Sequence, residues 1–142
     1  MPHAGQELEG PDGYRLLFVR IEEDELEMEA RYSGPGQLPP PHLHPRQAEQ
    51  FEVLEGSVRA VIGGTERRFA AGETFEVPAA TVHQMTGDGP ARLSWRVTPA
   101  LKMAEFFEEL YTGAAAEDPA AFLARYAEEF QLVPPGGDDS AP

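Results

Sequence analysis

Residues 36–56 read GQLPPPHLHPRQAEQFEVLEG: Gly36, five residues, His42-Leu43-His44, four residues, Glu49, six residues, Gly56. The meaning of this stretch depends on the backbone that carries it. In a β-strand, side chains two apart point to the same side, so His42 and His44 can meet one ion. In a helix the same spacing would splay them. Residues 45–48 suit a four-residue turn, which would bring Glu49, at the head of the next strand, back beside His44.

The flanking sequence supplies the β setting. Residues 14–21 form a first apolar run. Residues 26–32 alternate, with Leu26, Met28, Ala30 and Tyr32 on one face and Glu27, Glu29 and Arg31 on the other, as in a half-buried strand. Further strands are predicted over 49–55, 58–62, 66–70, 74–77, 82–86 and 91–98. Turns separate them at Gly56-Ser57, at Gly63-Gly64, over 78–81 and over 87–90. Gly63-Gly64 is a two-residue hairpin signal. Many short strands at close, even spacing, with 14 Gly and 14 Pro, predict an all-β sandwich or barrel. After Pro99 the period changes. Leu101, Ala104, Phe107, Leu110 and Tyr111 predict a helix over 101–111. A second is predicted over 118–130, with Asp118 as cap, Pro119 in the first turn and a stripe of Phe122, Leu123, Tyr126 and Phe130. The expected organisation is an N-terminal arm over 1–13, a barrel over 14–99, a helical extension over 100–133 and a disordered tail over 134–142.

A chain of 142 residues suits one domain with one core. Its formal charge of −14 makes nucleic acid and anionic membranes poor partners. With no cysteine, disulfides and thiolate metal or nucleophile sites are excluded. Neither a basic-then-apolar leader nor an apolar run of membrane length is seen, so a cytoplasmic location is expected.

The chain has four histidines. His3 lies in the arm and receives no role. His83 stands 34 residues beyond Glu49, and spacing alone does not bring it to the others. Three imidazoles and a carboxylate would suit a divalent transition metal. Read by themselves, the same residues equally fit strand histidines and solvated glutamates, since Glu52 and Glu55 lie close by.

The glycines and prolines around them carry a resemblance. To the first stretch is added a second, Gly72-x5-Pro78-x-Ala80-x2-His83-x3-Gly87. Together they resemble the two motifs of the cupin superfamily, and the whole chain is similar to its small single-domain conserved-barrel members. The first motif matches in full. The second departs at Ala80, where the family has Gly, and at Gly87, where it has Asn. The resemblance implies a double-stranded β-helix, a jelly-roll barrel of six to eight strands, with short C-terminal helices packed outside. It implies that His42, His44, Glu49 and His83 converge inside the barrel on one divalent ion, whether Zn, Fe, Mn, Ni or Cu. A homodimer is expected by the same likeness.

Strand parity adds a candidate pocket. Phe51 shares a side with Glu49 and Met85 with His83, while Trp95 lies among inward positions; these three are the expected pocket residues. Arg92 and Arg96 fall opposite Trp95 and are expected to point outward. Cupin barrels host many functions. One expectation is a metal-dependent oxygenase of the quercetinase-like kind acting on a small organic molecule, in which Glu49 would also serve as a catalytic base. The alternatives are a non-catalytic small-ligand-binding module and, more weakly, a sugar isomerase or epimerase.

Overall fold

In the computed structural model, which describes residues 1–133, every strand finds an antiparallel partner. In chain order the strands are β1 (Glu7–Glu9), β2 (Arg15–Ile21), β3 (Leu26–Tyr32), β4 (His42–Leu43), β5 (Ala48–Glu55), β6 (Ser57–Ile62), β7 (Thr65–Ala70), β8 (Thr74–Val77), β9 (His83–Gly87), β10 (Ala91–Thr98) and β11 (Gln131–Leu132). Helices α1 (Met103–Thr112), α2 (Ala114–Glu117) and α3 (Pro119–Arg125) lie between β10 and β11. One sheet has the order β1-β2-β3-β10-β5-β8 and the other β11-β4-β9-β6-β7. Chain neighbours β5 and β6 fall in different sheets, as in a jelly roll.

The alternation read from the sequence decides which face is inside. Leu26, Met28 and Ala30 of β3 are buried, and so are Phe51 and Val53 of β5 and Leu93, Trp95 and Val97 of β10. Register places Leu93 between Ala30 and Val53, and Trp95 between Met28 and Phe51. Each large apolar side chain so buried contributes about 1.5–3 kcal/mol. On the outer face Arg92 pairs with Glu29 and Glu55, and Arg96 is exposed. Both arginines therefore point away from the interior.

Two glycines permit the close approaches that shut the barrel. A Cβ at Gly56, where φ is +73°, would lie 2.1 Å from the Pro90 carbonyl oxygen. One at Gly87 would lie 2.8 Å from both the Gly89 oxygen and Tyr32 Cβ. The family's asparagine at position 87 has no room here. Ala80, at the other departure, has φ 61°, a left-handed turn that glycine enters at less cost.

Several local expectations change. Within the arm, residues 7–9 pair with β2 and bury Leu8, so the first sheet gains a sixth strand. Eleven strands, not six to eight, are present among the described residues. The helix expected over 101–111 begins at Met103, because Leu101 sits at φ 47° in the turn before it. It buries Met103, Ala104, Phe106 and Phe107, and leaves Leu110 40% exposed. The helix expected over 118–130 stops at Arg125. Pairing of β11 with β4 overrides the local helical period there, as tertiary contacts often do. Asp118 caps α3 through Ala121 N–H, as expected. The expected tail over 134–142 lies outside the described residues.

Candidate metal centre

β4 and β9 are neighbours in the second sheet, and their register sets His42 opposite His83. His44 follows on the same side of β4 by strand parity. Glu49 opens the inner face of β5 in the first sheet. The site therefore bridges the two sheets. His42, His44 and His83 each offer a ring nitrogen, and the three atoms lie within 4.8 Å of one another. Glu49 Oε1 is 2.9 Å from His83 Nε2, and Glu49 Oε2 is 3.4 Å from His44 Nε2.

The outer nitrogens explain why the inner ones converge. His42 Nδ1 is 3.0 Å from the Pro40 carbonyl, His44 Nδ1 is 2.7 Å from that of Glu129, and His83 Nδ1 is 2.9 Å from that of Thr81. A carbonyl only accepts, so each Nδ1 donates its proton outward. In the neutral ring each Nε2 is then left with a bare lone pair. Three lone pairs and a carboxylate thus face one another. Among the described residues, no hydrogen-bond donor is directed at the buried His44 Nε2 and Glu49 Oε1. The donor that Glu49 does have is Trp95, whose indole N–H reaches Oε2 at 2.9 Å.

Buried acceptors without donors cost free energy unless a cation joins them. Separations of 2.9 and 3.4 Å match adjacent ligands around an ion with bonds of roughly 2.1 Å. The fixing of histidines by hydrogen bonds from the distal nitrogen is the usual outer support of a metal ligand. The residues present fit a divalent ion.

The ionisation directions agree for His42 and His44, while His83 is held the other way by Glu49. Burial, joined by the neighbouring His83, pulls His42 down to about 4. Burial also lowers His44, despite the opposing pull of Glu49. Burial would lower His83 too, but the Glu49 carboxylate outweighs it and raises the group. Burial pushes Glu49 up, and the three imidazoles outweigh it and hold its carboxyl below the usual range.

A cavity of about 480 Å³ opens beside the cluster. His42, His83 and Glu49 reach it, and Phe51, Met85 and Trp95 form part of its wall. His44 lies behind the others and is 4% exposed. Of the rest of the wall, sequence reasoning places only Tyr32 on an inward strand face. Tyr14, Tyr32 and Tyr111 also line the cavity and cluster there, with ring centroids 5.1 and 5.7 Å from Tyr14. Burial pushes all three phenols up, Tyr111 to about 12, so they remain neutral donors at pH 7. Phe130 and Leu132 line the cavity as well. The helical period over 118–130 assigns Phe130 to packing, and no signal in the sequence marks it for the site.

Residues 33–97 match the family model described as a cupin domain. The chain carries a cupin domain. Its match takes in His42, His44, Glu49 and His83 together. A germin-like protein 3-1 of Oryza sativa subsp. japonica is 44% identical over 55 residues, covering 35% of this chain and 24% of that protein. The likeness thus spans about a quarter of that relative's length. Among solved structures, KdgF from Halomonas sp. superposes with a TM-score of 0.60 at 21% identity, over 66% of this chain and 87% of that one. An RmlC-like cupin from Shewanella frigidimarina gives 0.61 at 17% identity, over 69% and 86%. At these identities the likeness is one of fold. Among the described residues, no helix of this cupin is long and apolar enough to cross a membrane.

Proposed function

We propose that this cupin is a metal-dependent enzyme acting on a small aromatic molecule bearing a hydroxyl or enol group, and that its reaction is an oxygenation of the quercetinase-like kind. His42, His44, His83 and Glu49 would hold the ion. The observation that carries the reading is the convergence of three outward-tied imidazoles and one buried carboxylate at the floor of a largely apolar cavity. When bound, a divalent ion would polarise a substrate oxygen, and a redox-active one would supply the electron transfer that oxygenation needs.

The chain's own residues favour this substrate class. No Lys or Arg lines the cavity among the described residues, which argues against a phosphorylated sugar. Phe51 and Trp95 stack at 5.4 Å and offer flat apolar surface. The three tyrosines add phenol groups to the wall. Trp95 holds Glu49 in place, so the carboxylate is oriented before anything binds. Were Glu49 released by the ion, its acidic oxygen would face the cavity as a base.

Elemental analysis of protein purified without a polyhistidine tag tests the centre, beside the double variant His42→Ala/His83→Ala. Near-stoichiometric metal, lost in the variant, is expected. Absence of metal in both, even after reconstitution with Mn, Fe, Ni and Zn, would overturn the metal reading. Oxygen uptake with a panel of enols and phenols then tests the reaction. A centre that takes metal and binds these compounds but never consumes oxygen would leave a binding module.

A further inference from the structure

Two of the histidines lean on a segment that the cupin motifs do not contain. Glu129 gives its main-chain carbonyl to His44 Nδ1 at 2.7 Å in a buried bond. Its carboxylate accepts from the Lys102 N–H at 3.2 Å, at the start of α1, and the residue is 4% exposed. The next residue, Phe130, stacks on His42 with centroids 4.9 Å apart and planes 22° from parallel. It also meets His44 at 5.9 Å. Its other neighbour is Phe106 of α1, at 4.7 Å. Then β11 pairs with β4, the strand that bears His42, placing Leu132 opposite it. Val133 N–H donates to the Pro41 carbonyl at 3.1 Å.

We infer that residues 129–133 act as positioning residues of the metal centre, through the Glu129 carbonyl and the Phe130 ring, and that metal binding and docking of this segment reinforce each other. The inference rests on the metal reading above. The carbonyl fixes which nitrogen of His44 faces the site, and the ring fixes the plane of His42. β4 is only two residues long, as is β11, and its other strand pairing among the described residues is the single pair His42–His83. A ladder so short is held weakly by itself. An ion that ties His42 and His44 to β9 and β5 would therefore also secure the segment that packs on them. By linkage, the segment must return the same factor to the ion.

The test uses the full chain and Co(II), whose visible spectrum reports coordination, with Zn(II) competition for affinity. Phe130→Ala is expected to weaken Zn(II) binding ten- to hundredfold, the usual effect of losing outer support of a ligand, and to change the Co(II) spectrum; Glu129→Ala keeps the carbonyl but loses the carboxylate's anchor on the Lys102 N–H, and is expected to weaken binding in the same direction by a smaller factor. Val19→Ala, an exposed position of β2 outside both the cavity and this segment, is expected to leave both unchanged. Because Phe130 also packs on Phe106, a second measurement needs no variant: amide exchange at 129–133 in the native protein should slow when Zn(II) is added. Unchanged affinity and spectrum in both variants, or exchange at 129–133 indifferent to Zn(II), would overturn the inference while His42-dependent metal binding kept the centre itself intact. A native protein that takes no metal would overturn both.

Discussion

Replacing Glu49 by Gln should change stability in a way that depends on pH, and the sign can be worked out in metal-free buffer. In the native protein His83 is raised above its ordinary 6.5 chiefly because Glu49 outweighs the effect of burial. A histidine whose folded pKa is raised contributes stability that is fully present below the unfolded value and is lost as pH rises through the folded value. Glutamine removes that contribution. Below pH 6.5 the native protein should therefore be ahead. Above 6.5 its lead should shrink, by at most about 1.4 kcal/mol per pH unit, until His83 is neutral. At the alkaline end the order should reverse. The amide can accept from the Trp95 N–H as Oε2 now does at 2.9 Å, and can donate to the His83 Nε2 that now faces Oε1 at 2.9 Å. That converts an acceptor with no donor into a hydrogen bond, for a gain of about 1–2 kcal/mol, or roughly 3–7 °C in Tm for a chain of this size. Thermal melts from pH 5.5 to 9.5 in chelator would measure it. A difference between the two proteins that does not move with pH would refute the reasoning. Saturating metal should restore the native lead, because only the carboxylate compensates the ion's charge.

Three further outcomes follow from the same geometry. Trp95→Phe deletes the one donor to Glu49 and should weaken metal binding roughly tenfold, read by chelator competition, while the apo fold persists. Gly87→Asn, which installs the family's usual residue, should destabilise by about 2 kcal/mol or more, since its Cβ has only 2.8 Å to the Gly89 oxygen and to Tyr32; urea melts would measure it. Ala80→Gly, at φ 61°, should be neutral to stabilising by up to about 1 kcal/mol, and a clear loss of stability would contradict the strain assigned there.

The strands were legible because β-structure with one buried face writes its period into the sequence. The alternation of residues 26–32 and the Gly63-Gly64 turn both recur as read. That His42, His83 and Glu49 meet was not legible from spacing. It follows from β4 pairing with β9 across the barrel from β5, and it took the motif glycines and prolines to anticipate it. The alternation of 26–32 turns Tyr32 inward, but its meeting with Tyr14 and Tyr111 escaped because the three come from distant elements and nothing in any one of them marks a shared destination. The break at Arg125 escaped for the opposite reason. Residues 126–130 have a fair helical period, and only the competing partner β4 makes a strand beyond them preferable.

The bond between Trp95 and Glu49 has one practical consequence. The chain has a single tryptophan, and its indole N–H is tied to a residue of the metal cluster. Nearly all the long-wavelength emission of the protein therefore originates one hydrogen bond from the site. Paramagnetic ions arriving there should quench it, zinc should shift it by altering the charge that the indole senses, and an aromatic ligand in the cavity should accept its energy. The molecule thus contains its own optical probe, placed where every event proposed above could be followed without a label.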